Sequence, residues 1–256
     1  MTAKDIWDAK TYLQFEDERL RPALDLIARI SHEAPKLVVD LGCGAGNALP
    51  VLASRFPAAR VMGVDGSAAM LAKAAAAGFE TAQAEISTWA PEAPVDVIFS
   101  NAALQWLDGH EALFPCLLEC LAPGGVLAVQ MPSMHAAPLR AVQDRIARDG
   151  PWAEMLQRVK SAPAILTPEA YYAMLSPRVA KLEMWVTEYI HVLRGEDPVV
   201  RWAMGTSLRP FLDALGPEGS VGFLAAYAAA MRAAYPPGPD GAVLLPFRRL
   251  FILARR

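Results

Sequence analysis

Asp40-Leu41-Gly42-Cys43-Gly44-Ala45-Gly46-Asn47 is the stretch on which the reading of the fold turns. It grows out of a short apolar run, Leu37-Val38-Val39-Asp40-Leu41, that reads as a buried strand. It leads into a helical segment from Ala48 to Phe56 that tolerates Pro50 in its first turn and stops before Pro57. A strand, a glycine turn and a helix in that order mark the place where open α/β sheets bind nucleotide-like ligands. Glycines are needed there so that the backbone can turn sharply and touch a ligand with no Cβ in the way.

The alternation continues downstream. Arg60–Asp65 reads as a second strand, and Ser67 is a good N-cap for a helix running to Ala77 with Gly78 closing it. Thr81–Ala84 fits a short third strand and Val95–Asn101 a fourth. His110–Leu121 reads as a helix ending at Pro123-Gly124-Gly125, before a fifth strand at Val126–Met131. Five strands interleaved with helices predict a parallel sheet covered on both faces. Leu182–Leu193 and Ala242–Ala254 supply two more strands, Pro246 giving the latter an edge or bulge. The expectation is a doubly wound, mostly parallel, seven-stranded α/β fold, read as one domain over residues 1–256. Its sheet core lies at about 30–137, and a helical cap is built from about 138–180 and 197–236. Pro198–Leu215 and Ser220–Tyr235 are the expected cap helices, and residues 138–180 are helical with breaks at prolines.

Composition narrows the function. With 54% apolar and 20% charged residues the chain can bury a full core. A formal charge of −3 and the lack of a basic aromatic stripe speak against nucleic acid as a partner. The charged start and the lack of a long apolar run speak against a signal peptide and a membrane span. Cys43, Cys116 and Cys120 form no disulfide framework. They suit a reducing, cytoplasmic setting, and the Cys116/Cys120 pair is read as core rather than as part of a metal site.

Two cofactors compete for the glycine loop. Pyrophosphate needs the spacing G-x-G-x-x-G at a helix N-terminus. Here the third glycine, Gly46, comes one residue early, and the Asp40 carboxylate at the strand end would repel phosphate. That carboxylate suits the ammonium and sulfonium of S-adenosylmethionine, so Gly42, Gly44, Gly46 and Asn47 are expected to cradle that cofactor. Asp65, 25 residues after Asp40, can accept both ribose hydroxyls, or else cap the helix near Ser67; Gly66 and Met70 follow it in the same turn. Glu85 and Ile86 after the third strand can meet the adenine, though Glu85 also reads as a solvated loop acid. Asn101 and Gln105 leave the fourth strand toward cofactor or substrate, with a turn as the plainer role of Asn101.

These motifs resemble the class I S-adenosylmethionine-dependent methyltransferases over roughly residues 30–131. The flanks resemble, more narrowly, the trans-aconitate methyltransferases. The segments concerned are Trp7 with Tyr12-Leu13-Gln14-Phe15 and Glu18–Ala23, Asn101–Leu107, Gly125–Pro132, Thr206–Phe211 and Arg249–Arg256. Ala45 stands where that family often has proline. The resemblance implies methyl transfer to one carboxylate of trans-aconitate, giving a monomethyl ester and S-adenosylhomocysteine. An ionised carboxylate needs no general base, so neither a catalytic base nor a metal is expected. Three substrate carboxylates do need cations, and arginine forks bind them best. Arg209 is the first candidate, with Trp202 two turns earlier, Tyr171 or Tyr172 as hydroxyl donors, and Trp106 beside the fourth strand. Arg19, with Tyr12 and Gln14, joins them if the N-terminal segment folds over the cleft. Arg248-Arg249 and Arg255-Arg256 read as strand-edge charges. Other small or carrier-linked acids, and a non-catalytic cofactor-binding partner protein, remain as alternatives. A monomer acting on a small tricarboxylate is expected.

Overall fold

The computed structural model describes residues 16–159 and 163–256, with side chains from residue 20 onward. Its strands are β1 Leu37–Leu41, β2 Arg60–Asp65, β3 Glu80–Gln83, β4 Val95–Asn101, β5 Leu121–Pro132, β6 Lys181–Leu193 and β7 Val243–Arg255. They form one sheet in the order β3-β2-β1-β4-β5-β7-β6. The pairs from β3 to β5 are parallel, and β7 runs antiparallel to β5. This is the doubly wound, mostly parallel, seven-stranded fold. Its parallel part follows from the crossovers: helices Leu49–Arg55, Ala68–Ala76 and His110–Glu119 each return the chain to the same end of the sheet.

The elements differ from the expectation in three places. The fifth strand begins at Leu121, because Leu121 pairs with Val95 before the register slips and resumes at Val126 opposite Val97. Gly125 tolerates that bulge because a Cβ there would lie 2.9–3.2 Å from three backbone carbonyl oxygens. The expected helix 198–215 is two helices, Pro198–Met204 and a second starting at Arg209. Pro210, in the first turn of the second, suits a helix start better than a helix interior. That second helix continues to Ala234 across a kink at Gly216, where φ is +66° and Pro217 follows.

Two compact units emerge, each with its own core. The sheet unit comprises Glu18–Pro132, Ala164–Thr187 and Arg249–Arg256. Its core holds Leu41, Ile98, Phe114, Leu127, Met131, Tyr171 and Ile252. The other unit gathers Ser133–Pro163 and Glu188–Arg248. Its core is aromatic, with Trp202, Phe211, Phe223 and Tyr227. Two buried hydroxyls there are satisfied by backbone: Tyr227 donates to the Leu139 carbonyl at 2.9 Å, and the Leu139 N–H donates to Tyr235 at 3.2 Å. Helix Pro168–Leu175, expected in the cap, belongs instead to the sheet unit, since Tyr171 and Leu175 are buried in that core. Among the described residues no helix is long and apolar enough to cross a membrane.

Candidate cofactor site at the carboxyl edge of the sheet

The cofactor-binding residues expected from sequence lie where β1, β2, β3 and β4 end, all within the sheet unit. The loop after β1 is tied to β2 by two bonds, from the N–H groups of Gly42 and Cys43 to the Val64 carbonyl at 2.7 and 3.0 Å. The three loop glycines serve different purposes. At Gly42 φ is +80°, and a Cβ would sit 2.3 Å from that of Ala103 and 3.1 Å from Cδ1 of Ile86. At Gly46 φ is +86°, and a Cβ would press on Ala74 at 2.9 Å. Both are therefore required by the chain's own packing. Gly44, at φ +55°, has nothing within 4 Å of its Cβ position, so its open side is a surface that a ligand can lie against. Asn47, at the far end of the loop, is exposed.

Asp65 at the end of β2 holds the loop in place. One oxygen accepts from the Gly44 N–H at 2.9 Å and the other from the Ser67 N–H at 2.8 Å. Each carboxylate oxygen keeps a second lone pair, so this local bonding and acceptance from ribose hydroxyls are compatible. Ser67 caps the following helix by accepting from the Met70 N–H at 3.4 Å. Met70 is half-buried. Across the turn the Glu85 carboxylate lies against Gly66, where a Cβ would meet Oε1 at 2.8 Å. Ile86 reaches back to Gly42 as above, so the loops after β1, β2 and β3 meet.

Asp40 is 2% exposed. Burial, and then the neighbouring charge of Asp65, pushes its carboxyl up to about 8. A buried carboxyl of this kind is poised to pair with a cation. Cys43 is also buried, and burial pushes its thiol up to about 12, so it remains an unreactive packing group. Cys116 is exposed and Cys120 half-buried. Among the described residues no group of three or more His, Cys, Asp or Glu side chains is arranged to hold a metal.

The turn after β4 supplies buried acceptors. Ala102 adopts φ +54°, a strained conformation for a residue with a Cβ, and its N–H donates to the Gln130 carbonyl at 2.9 Å. Gln105 is anchored by a bond from Nε2 to the Ala102 carbonyl at 2.6 Å, which leaves its Oε1 buried with no hydrogen-bond partner. Asn101 Oδ1 is likewise buried and unpartnered. Buried acceptors without donors are uncommon in folded proteins. Together with the open side of Gly44 and the buried acid Asp40, they fit a ligand bearing an ammonium, hydroxyls and an exocyclic amine, as S-adenosylmethionine does. Trp106 follows, 49% exposed.

The structure treats the substrate candidates less evenly. Tyr171 is fully buried, and its hydroxyl meets Nδ1 of His110 at 2.5 Å. The other nitrogen of His110 donates to the Leu104 carbonyl at 2.9 Å, so in the neutral ring Nδ1 accepts and Tyr171 donates. That hydroxyl thus holds the core rather than a ligand, because Thr167 starts the helix in a register that turns Tyr171 inward and leaves Tyr172 61% exposed. Trp202 is 1% exposed, packed 4.4 Å from the His191 ring, which makes it a core residue of the helical unit. Arg209 is half-exposed and reaches Asp213 at 3.6 Å, one turn along its helix. Tyr12 and Gln14 lie outside the described residues, as does the side chain of Arg19.

Two further residues stand out. Arg249, expected as a strand-edge charge, is only 4% exposed and donates from Nη1 to Gln130 Oε1 at 3.2 Å. Gln130 is fully buried, and its Nε2 has no partner. The expectation fails because β7 is an interior strand between β5 and β6. The signal was present in the sequence: a glutamine interrupts the apolar run Val126–Met131 at its carboxyl end.

Comparison with known proteins agrees with the geometry. A family described as "Methyltransferase domain" matches residues 12–178. The trans-aconitate 2-methyltransferase of Methylobacterium radiotolerans is 47% identical over 98% of this chain and 98% of its own. Among solved structures, the YcgJ protein of Bacillus subtilis shares the fold with a TM-score of 0.58 at 14% identity, covering 94% of this chain and 98% of that one. Coclaurine N-methyltransferase, bound to N-methylheliamine and S-adenosylhomocysteine, does so with a TM-score of 0.55 at 15% identity, over 93% and 72%.

Proposed function

From the premise that the chain belongs to the trans-aconitate 2-methyltransferase family, we propose that it esterifies one carboxylate of trans-aconitate. When bound, S-adenosylmethionine supplies an electrophilic methyl group that a carboxylate oxygen accepts as the carbon–sulfur bond breaks, leaving S-adenosylhomocysteine and a monomethyl ester. The observation that supports this reading is the set of buried polar groups at the carboxyl ends of β1 and β4, Asp40, Asn101 Oδ1 and Gln105 Oε1, together with the open side of Gly44.

The residues act by binding and alignment. Asp40 holds the cationic amino-acid end and Asp65 the ribose, while Ile86 and Met70 offer apolar cover. Asn101 and Gln105 fix the reacting end. A carboxylate meeting a sulfonium loses charge on the way to the transition state. The site therefore gains most from orienting the pair and keeping water away; alignment of this kind supplies up to about 7–11 kcal/mol. Neither a proton acceptor nor a metal takes part. The reading further makes the protein a monomer of a reducing, cytoplasmic compartment, acting on a free small molecule rather than on nucleic acid or a membrane.

The test is transfer of label from methyl-labelled S-adenosylmethionine to a panel of trans-aconitate, cis-aconitate, citrate and malonate, followed as base-labile ester. Selective turnover of trans-aconitate is expected. Cofactor binding without turnover of any acid would refute the substrate and retain the cofactor.

A further inference from the structure

The pairing registers place Asp40, Asn101, Gln130 and Arg249 on one face of the sheet. In parallel and antiparallel ladders alike, paired residues share a face, and so do residues two apart on one strand. Asp40 pairs with Phe99, two before Asn101. Asn101 pairs with Gln130, which pairs with Phe251, two after Arg249. The result is a polar row across β1, β4, β5 and β7 at the carboxyl edge of the parallel strands. It begins with a buried acid and ends with a buried guanidinium three strand spacings across and four residues along, roughly 20 Å away. Beyond Arg249 the same face is closed by Trp185 stacked on Phe251 at 4.8 Å, with the Arg29 guanidinium 4.5 Å above Trp185.

We propose that Gln130 and Arg249 form the subsite that holds a non-reacting carboxylate of the acceptor and so selects polycarboxylates. The inference rests on the methyl-transfer reading and deepens it. Gln130 Oε1 accepts from Arg249, which turns the amide so that Nε2, a buried donor with no partner, is presented beside the guanidinium. Two adjacent sources of N–H at one buried place match the two oxygens of a carboxylate. The opposite end of the row is taken by the cationic end of the cofactor, whose ammonium favours the ionised form of the buried Asp40. The acceptor's carboxylates therefore find their cation at the Arg249 end. The carboxylate bound by Arg249 is not the nucleophile, because an oxygen whose lone pairs are engaged by two strong donors attacks a methyl group poorly. It positions the molecule, and another carboxylate reacts.

The decisive variant is Gln130→Glu. It is isosteric, and its carboxylate pairs with Arg249, so the fold is retained while the donor is replaced by an anion. Arg249→Lys keeps the charge and removes the fork. KM for trans-aconitate is measured for both by label transfer. Its affinity for protein saturated with S-adenosylhomocysteine is measured by calorimetry, as is the affinity for S-adenosylhomocysteine itself. The expected result for Gln130→Glu is a tenfold or greater rise in KM and the same loss of trans-aconitate affinity. Binding of S-adenosylhomocysteine stays within twofold, and the preference for tricarboxylates over monocarboxylates shrinks. Arg249→Lys should show a smaller rise of the same kind. Wild-type turnover of trans-aconitate with KM unchanged in both variants would overturn the subsite and leave the methyl-transfer reading standing. Parallel loss of S-adenosylhomocysteine binding and of turnover would mark the pair as structural, and also overturns it. A wild type that methylates no acid but binds trans-aconitate in a Gln130-dependent way would refute the reading and keep the subsite. One that neither methylates nor binds trans-aconitate refutes both.

Discussion

Asp40 carries the largest electrostatic strain at the site, and its consequences can be signed. An ordinary aspartate ionises near 3.8, whereas this one is held protonated up to about 8 by burial and by Asp65. Below about pH 4 the folded and unfolded chains both carry the proton. Between about 4 and 8 only the folded chain does, so the free protein loses stability as pH rises through that window. A ligand ammonium at Asp40 favours the ionised form. Cofactor binding should therefore release protons and strengthen as pH rises toward 8; calorimetry in buffers of different ionisation enthalpy measures both. Asp40→Asn should raise the melting temperature of the free protein at pH 8 and weaken S-adenosylmethionine tenfold or more. A variant that binds the cofactor as well as wild type refutes the assignment. The loop glycines divide in the same manner. Gly42→Ala forces a Cβ into Ala103 and should lower the melting temperature outright. Gly44→Ala has room, with a backbone penalty of about 1 kcal/mol at positive φ, and its larger effect should fall on cofactor affinity.

At the scale of elements, the sequence declared the alternating strands and helices because each buried strand is a short apolar run stopped by glycine, proline or a capping serine. It also declared the loop after β1 and the acids that end β1 and β2, since a carboxylate at the end of an apolar strand is conspicuous. Other features were not legible. That Tyr171 faces a core histidine depends on which residue starts its helix, and two adjacent tyrosines look alike in a sequence. That β7 lies between β5 and β6 depends on long-range pairing, so Arg249 looked like a charge on an exposed edge. Tyr171→Phe separates the two roles considered for that hydroxyl. Removing the donor leaves Nδ1 of His110 buried and unsatisfied, which should lower stability by about 1–3 kcal/mol. KM for the acid should not change; a selective rise in KM would return Tyr171 to the substrate.

For the molecule as a whole, each unit has a core of its own, yet neither unit is one continuous stretch of chain. If the proposed site in the sheet unit holds S-adenosylhomocysteine, the ligand should stabilise by about 2.7 kcal/mol at one hundred times its dissociation constant. A scan resolving the two cores separately should show only the transition of the sheet unit move. If both shift equally, the units unfold as one. The interior place of β7 also has a consequence in time. When a ribosome has made β5, the strand that will lie against it is still more than a hundred residues away. At ordinary rates of synthesis the apolar margin of β5 then waits on the order of ten seconds with its backbone groups open to any passing strand. A nascent chain halted before Arg249 should accordingly be held by chaperones or sediment with aggregates, whatever the condition of its cofactor loop.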